Sequence, residues 1–155
     1  MSSKILERWP LIERPHRGNG SLEAIERCLT PIRINKKVIR ETLNSLFSSV
    51  DVEVLGYYPF QSRVCGTCKP ESDIDIYVHL DHKYVDLIQR FVVPYKDTGH
   101  NIICDVAVYE LFKDQQEKMA VLKRLNVDLF IGLKLPPPAK REYVGLNYWI
   151  NLENI

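Results

Sequence analysis

The stretch Val64–Val78, VCGTCKPESDIDIYV, sets two aspartates one residue apart inside a run of β-branched residues, directly behind a turn rich in Gly, Thr, Cys and Pro. DIDIYVHL reads as a strand. On a strand, residues i and i+2 point to the same face, so Asp73 and Asp75 share one side while Ile74 and Ile76 share the other. Two like charges so placed repel unless something positive lies between them, and a divalent ion with oxygen ligands is the simplest such thing. An edge strand with one wet face would show the same alternation without a metal. The residues upstream shift the balance, because a Ser, a Gly and a Thr (Ser62, Gly66 and Thr67) in a tight loop between two strands offer hydroxyls and backbone N–H groups as a phosphate cradle.

Working outward, DVEVLGYYPF (Asp51–Phe60) alternates as a strand does, so two strands flank the loop. Before them, Ser21 caps SLEAIERCL, a short helical pattern stopped by Thr30-Pro31, and Asn35 caps a second helix, KKVIRETLNSLF. Val38, Ile39, Leu43, Leu46 and Phe47 recur there at helical spacing, which makes it a core-packing helix. Downstream, Lys83–Val93 reads as a helix, Asn101–Glu110 as a strand, Asp114–Met119 as a helical turn, and Val121–Ile131 as a hairpin or a final strand. The expected organisation is an irregular arm over 1–20, one α/β (α+β) domain over 21–135, and a Pro-rich turn with a docking or interface segment over 136–155. In that last segment Tyr143, Tyr148 and Trp149 either pack on the sheet or meet a protein partner or a second copy of the chain.

At 155 residues, 45% of them hydrophobic and 26% charged, the chain has the size and composition of one globular domain with one core. No apolar run approaches the roughly 20 residues that cross a bilayer, and the acids and Trp-Pro of the first residues do not make a signal peptide. The expectation is an intracellular protein, cytoplasmic or nuclear, with no membrane partner. A net charge of +1 argues against holding nucleic acid by a broad basic surface, so any such contact is local. Lys123, Arg124, Lys134, Lys140 and Arg141 could line an RNA path or simply form a solvated face. Cys65-x-x-Cys68 lacks a second pair at zinc-ligand spacing, and Cys28, Cys65, Cys68 and Cys104 are expected to be reduced thiols.

FQSRVCGTCKPESDIDI (Phe60–Ile76) resembles the signature of the polymerase-β-type nucleotidyltransferases, which runs hydrophobic-Gly-Ser, a short helix with a second Gly, then Ser-Asp-x-Asp. Ser62, Arg63, Gly66, Ser72, Asp73 and Asp75 fall in register with it. With Tyr58-Pro59-Phe60 leading into the loop, the stretch is most similar to the terminal RNA nucleotidyltransferases, the terminal uridylyltransferases and related poly(A) polymerases. The resemblance spans about Leu22–Gly132 and is strong between Tyr57 and Val78.

It implies a nucleotidyltransferase fold, a mixed β-sheet with helices packed mainly on one face. It also implies an enzyme that adds UMP or AMP from a nucleoside triphosphate to an RNA 3′ end. Asp73 and Asp75 would bridge two Mg²⁺ (or Mn²⁺) ions, and a third aspartate would hold the ion that activates the attacking hydroxyl. MAVLKRLNVDLFIG looks like the family's apolar strand ending in Lys followed by the third-aspartate strand, which favours Asp128; Asp105, in IICDVAVYE, is the alternative. Ser62, Arg63, Gly66, Thr67 and Ser72 would bind the nucleotide. The chain departs from the pattern at Gln61, which stands where Gly precedes Ser, and in having only a short tail after Pro138 where the family has a helical domain. These departures leave two other readings: a catalytically silent interaction module, or a nucleotidyltransferase acting on a small molecule or a protein.

Overall fold

The computed structural model describes residues 22–60, 62–91, 93–94, 101–103, 105–133 and 151–155. The arm 1–20, the cap at Ser21, Gln61 and the segment 134–150, with its Pro-rich turn and aromatics, lie outside the described residues.

Helix α1 runs without interruption from Leu22 to Ser49, where two helices separated at Pro31 are expected from the sequence. Proline inside a helix removes one hydrogen bond and crowds the preceding turn, at a cost of about 3 kcal/mol. Ile25, Leu29, Ile32 and Ile39, on both sides of Pro31, are almost fully buried. At about 1.5–3 kcal/mol for each such side chain, a continuous apolar face outweighs the proline. Two side chains add donors to carbonyls near the proline: Thr30 Oγ1 donates to Glu26 O (2.9 Å) and Asn35 Nδ2 to Pro31 O (2.9 Å). Asn35 thus supports the helix interior rather than capping a new one. The turn that follows the helix includes Asp51, whose φ of 56° is a conformation that Asp tolerates better than most residues.

Strand β1 (Val54–Phe60) and strand β2 (Ile74–Leu80) are joined through the four-residue helix α2 (Ser62–Cys65). A 3-10 turn (His82–Tyr84) and helix α3 (Val85–Phe91) follow, then two short strands, β3 (Val93–Pro94) and β4 (Asn101–Ile103). The strand expected over 101–110 is only three residues long, because Asp105–Leu111 forms helix α4. Helix α5 (Gln116–Arg124) takes the place of the apolar strand expected ahead of Asp128, and strand β5 (Val127–Gly132) follows it into the centre of the sheet. MAVLKR contains no strict alternation; Met119 and Leu122, three apart, are its buried residues, as a helix requires.

The five-stranded sheet has the order β1-β2-β5-β4-β3. It is mixed: β2 and β5 run parallel, while β1–β2, β4–β5 and β3–β4 are antiparallel. Ile74, Ile76, Val78 and Leu80 of β2, with Val127, Leu129 and Ile131 of β5, form one buried face that shares a single apolar cluster with α1, Val108 of α4, Phe112 and the buried side of α5. Phe47 and Phe112 meet edge to face at 5.2 Å, tying the end of α1 to the end of α4. On the opposite face Asp75, His79, Asp128 and Phe130 are half-buried. The C-terminal turn Leu152–Asn154 packs on this body: Leu152 is fully buried, Arg40 pairs with Glu153 at 3.0 Å, and Lys36 Nζ donates to the Glu153 carbonyl at 3.0 Å. No helix among the described residues is long and apolar enough to cross a membrane.

If α1 is one helix across Pro31, Pro31→Ala should restore a backbone bond and raise stability by up to about 3 kcal/mol. Thermal melting followed by circular dichroism checks this; a lower melting temperature would mean that the chain requires the break.

Candidate metal centre

The parallel pairing of β2 with β5 sets Asp75 directly beside Asp128. Neighbouring strands lie about 4.8 Å apart, so in-register carboxylates on one face stand side by side. Asp73 sits just before β2 with the same parity as Asp75. One carboxylate oxygen from each of Asp73, Asp75 and Asp128 lies within 4.8 Å of the others. Asp73 is exposed, and Asp75 and Asp128 are half-buried. Three oxygen donors at this spacing, on the half-buried face of the sheet, fit a hard divalent cation. Of the two candidates for the third position, Asp128 is the one the structure brings to the cluster. Asp105 is the first residue of α4 rather than a strand residue, and its side chain lies outside the described residues.

The loop from Gly66 to Asp73 delivers the first carboxylate, and it is tethered at almost every step. Cys68 forms a disulfide with Cys28 of α1, across a sequence separation of 40. This corrects the expectation of reduced thiols for these two residues. The pairing joins a helix to a loop far away in sequence, and the Cys65-x-x-Cys68 spacing draws attention away from it. Gly66 has φ of 76°, and a Cβ there would meet the Ile25 backbone nitrogen at 2.9 Å. The glycine is therefore required where the loop passes against α1. Lys69-Pro70-Glu71-Ser72 forms a turn in which Ser72 N donates to Lys69 O (3.0 Å) and Lys69 N donates to Ser72 Oγ (2.8 Å).

Two further residues hold the carbonyls of this turn. Arg63, 5% exposed, donates from Nη2 to Ser72 O at 2.7 Å and to Pro70 O at 3.4 Å. Its Nη1 reaches Cys28 O at 3.3 Å and Cys68 Sγ at 3.6 Å. Burial pushes the guanidinium below its ordinary pKa, and the nearby Asp73 carboxylate pulls it back up. The nucleotide-contact role implied by the resemblance would need an outward guanidinium, whereas this one faces the interior of the loop. Asn126 Nδ2 donates to Glu71 O (3.2 Å), and Asn126 O accepts from Ile74 N (2.7 Å). Asn126 was not singled out from the sequence; it has φ of 61° where α5 passes into β5, a position that Asn commonly fills after a helix. It fixes the start of β2 against β5, and with it the Asp75–Asp128 register.

The remaining nucleotide candidates lie at the same end of the sheet. Phe60 pairs with Asp75, so the turn leaving β1 begins beside the acids. Ser62 opens α2 half-buried, its carbonyl accepting from Thr67 N at 3.0 Å, and Thr67 is exposed. Ser72 is half-buried, with its hydroxyl committed to the turn. Lys123 and Arg124, of the RNA-path candidates, are exposed at the end of α5, and Lys134, Lys140 and Arg141 lie outside the described residues.

Comparison of the chain with protein-family models, with curated proteins and with solved structures finds no match.

Two measurements check the tethering. Gly66→Ala is expected to cost about 1–3 kcal/mol for a non-glycine residue held at positive φ, with the approach to Ile25 adding to it; a neutral result would contradict the close packing on α1. Cys28→Ser with Cys68→Ser should lower stability by about 2–5 kcal/mol in non-reducing denaturant melts, and mass spectrometry of the unreduced chain should show the pair linked.

Proposed function

We propose that the chain is a metal-dependent nucleotidyltransferase that adds nucleotides from a nucleoside triphosphate to an RNA 3′ end. The observation that carries this reading is the convergence of Asp73, Asp75 and Asp128 within 4.8 Å, at the end of the sheet where the Ser62 turn begins. The resemblance to the polymerase-β-type signature also supports it, since the two aspartates of its Ser-Asp-x-Asp, Asp73 and Asp75, are two of the three carboxylates that meet.

In this reading Asp73, Asp75 and Asp128 hold divalent cations, Mg²⁺ or Mn²⁺ by the chemistry of an all-oxygen donor set. Such ions supply charge stabilisation to the attacking and leaving oxygens of an in-line phosphoryl displacement. The chain's own contribution is placement. The β2–β5 pairing holds two carboxylates abreast, the tethered loop presents the third, and the Ser62 hydroxyl with the exposed Thr67 offers polar contacts to a triphosphate. No histidine is required as a general base, and His79 is engaged elsewhere, with Nε2 3.2 Å from the Leu133 carbonyl.

Incubation with labelled RNA, each nucleoside triphosphate in turn and Mg²⁺ or Mn²⁺ should extend the RNA. Asp73→Ala, Asp75→Ala and Asp128→Ala should each reduce extension at least a hundredfold, and Asp105→Ala should not. Extension unaffected by the three triad substitutions would remove the proposal. Absence of extension with every triphosphate, together with no metal-dependent triphosphate binding, would leave the chain an interaction module.

A further inference from the structure

Arg63 is the one charged side chain among the described residues that is almost fully buried. A guanidinium has five N–H donors, and four of them have partners here. The two on Nη2 face Ser72 O and Pro70 O, and the two on Nη1 face Cys28 O and Cys68 Sγ. Nε is buried without a partner. No ion pair to Arg63 is formed among the described residues, so its charge is met by carbonyl dipoles and, at longer range, by Asp73. Keeping a charge under these conditions is costly. A purely apolar plug would fill the same space without an unsatisfied N–H, but it could not grip four acceptors shared between α1 and the loop.

Those acceptors are informative. Ser72 O belongs to the peptide whose nitrogen is that of Asp73, so the 2.7 Å bond fixes the peptide plane from which the first carboxylate of the triad departs. Cys28 and Cys68 are the two ends of the disulfide that anchors the loop to α1. Arg63 therefore joins the anchored end of the loop to its metal-facing end through one rigid planar group. Its positive charge also lies near enough to Asp73 to interact with that carboxylate.

We propose that Arg63 is the positioning residue of the metal centre: from inside the loop it sets the Asp73 carboxylate against Asp75 and Asp128 and so sets the affinity of the site for a divalent cation. The inference rests on the triad as a cation site, and it does not depend on which group is transferred. Groups that orient metal ligands without touching the metal typically contribute 10–100-fold to metal affinity. Arg63→Lys keeps the charge but offers a single point donor in place of the fork. Arg63→Gln keeps a planar donor that can reach one carbonyl and discards the charge.

The test is titration of the full chain with Mn²⁺ alone, reading free Mn²⁺ by electron paramagnetic resonance, for the wild type, Arg63→Lys and Arg63→Gln. Circular dichroism melts run in parallel identify folded variants. The proposal expects Mn²⁺ affinity 10–100-fold weaker in the folded variants, with turnover at saturating Mn²⁺ returning to within a few-fold of wild type. That pattern, a shift in the metal requirement with the maximal rate kept, is one that general loosening of the fold does not produce. Wild-type affinity in either folded variant overturns the proposal. Should neither substitution fold, Cys28→Ser with Cys68→Ser tests the same clamp from its anchored end: weaker Mn²⁺ binding supports the proposal and unchanged binding overturns it. Wild-type protein that binds no Mn²⁺ removes the metal centre itself, and binding without any nucleotide transfer removes the enzymatic reading while leaving the role of Arg63 standing.

Discussion

Three carboxylates with oxygens within 4.8 Å of one another repel, and the architecture around them is organised to withstand that repulsion. Two unit charges 4 Å apart cost about 1 kcal/mol in water and about 4 kcal/mol at an effective dielectric near 20. Set against the roughly 5–15 kcal/mol that stabilises a domain, a repulsion of even the smaller size counts in the absence of a cation. A loop free to move would relieve it by swinging Asp73 away. This loop is not free to do so.

The restraint comes from elements that are remote in sequence. α1 holds the loop through Cys28–Cys68 and through its close contact with Gly66. Arg63 and Asn126 hold alternate carbonyls of the turn, Arg63 those of Pro70 and Ser72 and Asn126 that of Glu71. The β-sheet supplies the rest, since the buried face formed by Ile74, Ile76, Val127 and Leu129 fixes which way the strands face, and a slip of one residue would bury the aspartates. The hydrophobic core thus sets the position of the charges, and the polar loop contacts set their separation.

Much of this was legible in the sequence where one local pattern decides the outcome. Alternation in DIDIYVHL gave the strand and the shared face of Asp73 and Asp75, and the apolar spacing after Asn35 gave a core helix. What local pattern could not supply was anything settled by packing. Pro31 reads as a stop, yet burial on both sides carries α1 through it. MAVLKR is short and apolar enough to pass for a strand, yet its buried residues, Met119 and Leu122, are spaced as a helix requires. Cys28–Cys68 and Asn126 act across long separations and have no short motif. Arg63 falls in register with the signature that the sequence resembles, and that resemblance implies a nucleotide contact, whereas the folded chain turns the side chain in. The nucleotidyltransferase fold and activity remain the proposal that the signature and the carboxylates jointly support.

The most direct measurement of the central claim is the melting temperature of the wild type and Asp128→Asn, each in EDTA and in Mn²⁺. If the triad is a cation site held together against its own charge, the neutralised variant melts above the wild type in EDTA. Mn²⁺ then raises the wild type by mass action and leaves the variant nearly unmoved. A variant that melts below the wild type in EDTA, with equal shifts in Mn²⁺ for both proteins, would contradict the account.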